Sequence, residues 1–117
     1  MKYIILLIFF LSSLHSDALY NRGEYLYFSK ACSSCHGPSA EGSSTAPKLA
    51  NKPQKYLANK LHNFKKGKVS NQNQEMMSQF VRVFSDKDIK AISIFLSEHK
   101  ESNIPDVSDD VLGGFGS

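Results

Sequence analysis

The chain has 117 residues, a net charge of +3, 41% apolar residues and two cysteines. That length holds one small domain, and two cysteines are too few for a disulfide-stapled scaffold. The mild positive charge, carried by lysines without an aromatic platform, makes no case for nucleic acid.

Lys2 precedes an unbroken apolar run from Tyr3 to Leu11, followed by Ser12, Ser13, Leu14, His15, Ser16, Asp17 and Ala18. This is the charged start, apolar middle and small-residue exit of a secretory signal peptide over residues 1–18, with cleavage expected after Ser16 or Ala18. The run is short for a bilayer, so no stable membrane insertion is expected after cleavage, an uncleaved anchor being the alternative. No cysteine stands at the exit to carry a lipid. Removal of residues 1–18 takes away Lys2 and Asp17 together and leaves the net charge at +3.

Arg22 to Ala31 suits a short helix, and of its apolar cluster Phe28, four residues before Cys32, is expected to be the buried member. Cys32-Ser33-Ser34-Cys35-His36 follows. Two cysteines two residues apart with histidine next are the signature of covalent c-type haem attachment. Each thiol adds to one porphyrin vinyl group, the spacing lets both reach the same ring edge, and His36 then lies under the iron as proximal ligand. A thioredoxin-like pair would sit in a βαβ setting that is absent here, and a zinc site would need a second ligand pair, whereas His15, His62 and His99 are scattered singly. One covalent haem c is expected, and it also supplies the apolar body that a domain of this size lacks, so the apo-chain should be unstable.

Gly37 to Ser44 reads as a loop. Pro47 after it offers a carbonyl with no competing N–H, suited to accept the other ring N–H of a ligating histidine. Pro53 to Lys66 has helical spacing of Tyr56, Leu57, Leu61 and Phe64, with Gly67 just past its end and His62 on the surface. Between Glu41 and Glu75 there is no acid, yet Lys48, Lys52, Lys55, Lys60, Lys65, Lys66 and Lys68 all fall there. Such a stretch steers an acidic partner or is merely a solvated face. Val69 to Gln74 reads as an irregular connection.

Met76 and Met77 are the only methionines beyond the leader. A thioether paired with histidine suits haem iron and raises its potential, but methionine also serves as core filler. Two adjacent residues cannot both bind. Ser85 and Asp88 form a capping-box-like start for an amphipathic helix on which Ile89, Ile92, Phe95 and Leu96 share a stripe, ending near His99 or Lys100. Residues 101–117 read as a loosely ordered tail.

Taken together, residues 23–100 resemble a class I cytochrome c of the small, soluble, periplasmic, monohaem kind. Cys32, Cys35 and His36 match its attachment site, Pro47 and Leu49 its histidine-orienting loop, and Tyr56 and Leu57 its middle helix. Met77, eight residues before Ser85, stands where the family's distal ligand does, with Met76 as fallback. Phe28 and Phe95 match the aromatic pair where first and last helices cross. The family's crossing glycine would fall at Glu24, whereas Gly23 is available, so a crossing shifted by one residue is expected. Lys68 takes the place of an arginine that contacts a haem propionate. The resemblance implies an all-α cytochrome c fold, three to four short helices around one haem, over residues 19–100. It implies a monomeric one-electron carrier in the periplasmic respiratory chain, not an enzyme, meeting redox-protein donors and acceptors of which at least one is acidic. The alternatives are a haem-bearing subunit of a larger oxidoreductase and a five-coordinate haem enzyme or gas sensor.

Overall fold

A computed structural model describes residues 1–99, without the side chains of residues 12–16; the tail at 101–117 lies outside the described residues. Among these the chain is all-α with no strand, as the sequence led us to expect, but the helices number five and the first is long: α1 (Lys2–Ser29), α2 (Cys32–His36), α3 (Gln54–Lys65), α4 (Gln72–Val81) and α5 (Asp86–Ser97). No described helix is long and apolar enough to cross a membrane.

The helix expected to start at Arg22 is continuous with the apolar segment before it, because nothing between Lys2 and Arg22 breaks it: no glycine or proline occurs there. Its two parts differ in environment. The side chains of residues 1–11 are all exposed, whereas Leu19 is buried against Ala91 and Ile94 of α5. The part of α1 that belongs to the folded body therefore reaches one turn further back than Arg22.

α5 is the centre of the molecule. It packs against α1 on one side and α3 on the other, α4 packs on α3, and α2 touches α1. Ile89, Ile92, Phe95 and Leu96 are buried as their stripe demanded, and so are Ala91, Ser93 and Ile94, since two neighbouring helices cover more than one face.

Where α1 crosses α5, Gly23 is the point of closest approach: a Cβ there would sit 2.1 Å from the Ala91 carbonyl oxygen and 2.8 Å from the Phe95 Cβ. The crossing is thus shifted one residue from the family position. That shift settles which aromatic goes inside. Tyr27 lies one turn after Gly23 on the same face and is fully buried, its ring 5.5 Å from that of Phe95. Phe28, expected to be the buried one, is rotated about 100° off that face and remains 46% exposed, touching Phe95 edge-on at 6.4 Å.

Local signals account for the remaining boundaries. α3 ends in two reversed hydrogen bonds, Gly67 N–H to the Phe64 carbonyl and Lys68 N–H to the Asn63 carbonyl, the double closure that a left-handed glycine permits. α4 begins inside the segment we expected to be irregular. Asn71 accepts from the Gln74 N–H while the Gln74 side chain accepts from the Ser70 N–H, a cap built from Asn and Gln that stands in the sequence. α5 carries the full capping box, Ser85 and Asp88 each accepting the other's backbone N–H at 3.1 Å, and stops at Ser97, short of His99.

Two outcomes follow from this cap. Ser85→Ala should cost about 1 kcal/mol, seen as a fall in Tm of roughly 4–8 °C. Asp88 also receives Arg22, Nη2 to Oδ1 at 2.7 Å, tying α1 to α5. Burial pushes the Asp88 carboxyl up, but the Arg22 hydrogen bond and charge and the bonds from Ser85 outweigh it and hold the group below its usual value. A lowered folded-state value means that the stabilisation is present above about pH 4 and is lost as pH falls through the folded value. Thermal melts from pH 6 to pH 2 should show wild type losing its advantage over Asp88→Asn in that acid window.

Candidate functional site

After α1 the backbone makes a left-handed step at Ala31, φ 62°, and enters the single turn α2, which carries Cys32, Cys35 and His36 and nothing else of length. A non-glycine residue held there costs about 1 kcal/mol, so the surrounding structure fixes the sharp re-entry. Both cysteines are free thiols, Cys32 half-buried against the core and Cys35 exposed. Burial, with Cys35 adding, pushes the Cys32 thiol up against a smaller opposing backbone hydrogen bond, so it stays protonated as S–H at neutral pH. His36 is 5% exposed.

The loop after α2 folds around this histidine. The His36 carbonyl accepts from Gly42 N–H, and Ala40, fully buried, accepts from both Leu49 and Ala50 N–H groups. This brings Pro47 back, and His36 Nδ1 meets the Pro47 carbonyl at 2.9 Å. A carbonyl only accepts, so Nδ1 carries the proton and Nε2 is left with its lone pair. Gly37 is required as glycine: its φ is 92° and a Cβ would run into the Glu41 carboxylate, 2.4 Å away. Tyr27 donates its hydroxyl to the Gly37 carbonyl, pinning α1 to the residue after His36.

Met77 is half-buried against the core cluster that also receives Cys32, while Met76, its neighbour on α4, is 48% exposed. Lys68 is exposed and lines an open cleft of about 340 Å³ with Lys60, Asn63, Phe64, Ser70 and Gln74. His62 sits at the surface, 3.7 Å from Asp86. His99 leans edge-on against Phe95 at 5.6 Å. Among the described residues no three His, Cys, Asp or Glu side chains come together as a metal cluster. The donor set is two thiols, an imidazole with one nitrogen already committed and a half-buried thioether, and it fits a covalent haem.

Sequence reasoning placed Gly23 at the crossing but missed Tyr27, four residues on, as the ring that seats α1 beside it, although that spacing carries the signal. It also missed Ser78, which is 1% exposed beside Met77 and donates to the Phe64 carbonyl at 2.7 Å. Of the seven lysines, Lys65 is not on the solvated face, since its ammonium is spent on the Phe84 carbonyl. Lys52 and Lys60 flank the exposed Tyr56 ring, 5.7 and 5.9 Å from its centroid.

The chain is similar to cytochrome c4 of Azotobacter vinelandii, with 32% identity over 83 residues, 68% of this chain and 40% of that protein. It is similar also to cytochrome c4 of Pseudomonas aeruginosa, with 34% identity over 83 residues, 68% of this chain and 41% of that one. It therefore spans about two fifths of the length of these relatives. The cytochrome c family model matches residues 20–100, the stretch running from the end of α1 through the attachment turn to the end of α5, and the chain belongs to the class I cytochrome c family.

Proposed function

We propose that the protein is a periplasmic one-electron carrier built on a single haem c, with iron held by His36 and Met77. The observation that carries this reading is the attachment turn itself: Cys32, Cys35 and His36 on one helical turn, with His36 Nδ1 engaged by the Pro47 carbonyl. When bound, the haem supplies the redox couple. The chain's own residues do the rest: two S–H groups to be joined to it, a carbonyl that sets the imidazole tautomer, and a core that keeps water from the ring. With two cysteines in the chain, one such attachment can be made. Lys68 is proposed to meet a propionate. The leader directs export, with cleavage after Ser16 or Ala18. Lys52 and Lys60 around the exposed Tyr56 ring receive an acidic redox partner, met briefly and weakly.

The attachment is tested by exporting Cys32→Ala/Cys35→Ala beside wild type and staining a denaturing gel for haem. Wild type should stain and the double variant should be colourless; an unstained wild type would end the proposal. The sixth ligand is tested by Met77→Ala against Met76→Ala. Only the former should lose the weak ferric band near the red end that methionine ligation produces and lower the potential.

The alternative is a haem domain acting within a larger oxidoreductase. Size-exclusion of native extract separates the two, since a free carrier elutes as the monomer.

A further inference from the structure

α4 carries Met76 and Met77, yet among the described helices it meets only α3. Its hold there is narrow. Ser78 is buried, and its hydroxyl donates at 2.7 Å to the Phe64 carbonyl in the last turn of α3. That same oxygen already accepts the Gly67 N–H of the helix-ending turn, so both its lone pairs are used and the carbonyl is fixed in direction. Just past α4, the Lys65 ammonium reaches from α3 to the Phe84 carbonyl. The two bonds bracket the helix from Met77's immediate neighbour to its exit. We propose that Ser78, assisted by Lys65, is a latch that holds α4 on α3 and thereby sets how firmly the Met77 sulfur is presented to the iron.

The proposal rests on Met77 as ligand and adds a positioning residue to it. Met77 is half-buried against the core, and in the latch an incoming ligand takes its place by moving α4 off α3. That movement breaks a buried hydroxyl–carbonyl bond, and the bond therefore weighs on the side of the sulfur-bound state. Were Met77 able to rotate away with α4 still seated, the bond would be present in both states and would bias neither.

The test titrates the purified ferric holoprotein with imidazole and follows the methionine–iron band, with the potential measured in parallel. Ser78→Ala should halve the band at about tenfold less imidazole than wild type, the effect of one buried hydrogen bond on an equilibrium, and should lower the potential. Ser78→Thr, which keeps the hydroxyl, should restore both, and Lys65→Met should move both in the same direction as Ser78→Ala. If Ser78→Ala does not accumulate as haem-stained protein, Lys65→Met carries the test. Wild-type midpoints and potentials in Ser78→Ala and Lys65→Met, with the band lost in Met77→Ala, would overturn the latch and leave Met77 as ligand. A band that survives in Met77→Ala would overturn the ligand assignment and the latch with it.

Discussion

Gly23→Ala will destabilise the protein by about 3 kcal/mol, the upper end of what overpacking costs, although alanine is the better helix former. The propensity gain is about 1 kcal/mol. Against it stands a methyl carbon placed 2.1 Å from the Ala91 carbonyl oxygen and 2.8 Å from the Phe95 Cβ, with backbone on one side that cannot rotate away. Relief requires α1 to lift from α5 by more than an ångström, and that loosens Leu19, Tyr27 and the Arg22–Asp88 bond together. Thermal unfolding of the variant should fall by roughly 10 °C or more, and Gly23→Val should fall further. A melt within a degree or two of wild type would show that the helices do not cross at this residue.

The second large effect belongs to Tyr27. Tyr27→Ala removes a fully buried ring that touches Phe95 and Phe28, at a cost of about 3–5 kcal/mol. Tyr27→Phe keeps the ring and removes only the hydroxyl that the Gly37 carbonyl accepts, leaving that acceptor short by about 1–3 kcal/mol. Burial, with Cys32 and Glu41 adding, pushes the phenol well above its usual value, so it remains a donor through mildly alkaline pH. The two variants should thus differ by about 2 kcal/mol in denaturant unfolding, and the phenylalanine form should still stain for haem. Equal losses would mean that the hydroxyl carries the whole effect and the ring none.

Much of the site was legible because it is local. Cys32, Cys35 and His36 are joined by one turn of helix, and Ser85 with Asp88 by another, so residue order and spacing alone fix their mutual placement. Pro47 was legible for a different reason. A residue without an N–H, eleven positions after a candidate ligand and past a run of turn formers, has few uses besides its carbonyl, and the Pro47 oxygen does lie 2.9 Å from His36 Nδ1. α4 was partly missed because Val69 to Gln74 has no apolar period, while its cap, Asn71 with Gln74, depends on side-chain geometry rather than pattern.

Residue types at short spacing are enough to read the attachment turn, the paired methionines and the one-signed lysine stretch, and the family resemblance they carry implied the all-α class. Which members of each local set face inward is settled by packing between helices. Tyr27 rather than Phe28 fills the helix crossing because Gly23 is where α1 comes within contact of the Ala91 backbone. Met77 rather than Met76 packs on the core because Ser78 fixes the rotation of α4 against α3. Helix periodicity places adjacent residues about 100° apart, and the choice between them is made by the neighbouring helix, whose position no short stretch of sequence contains.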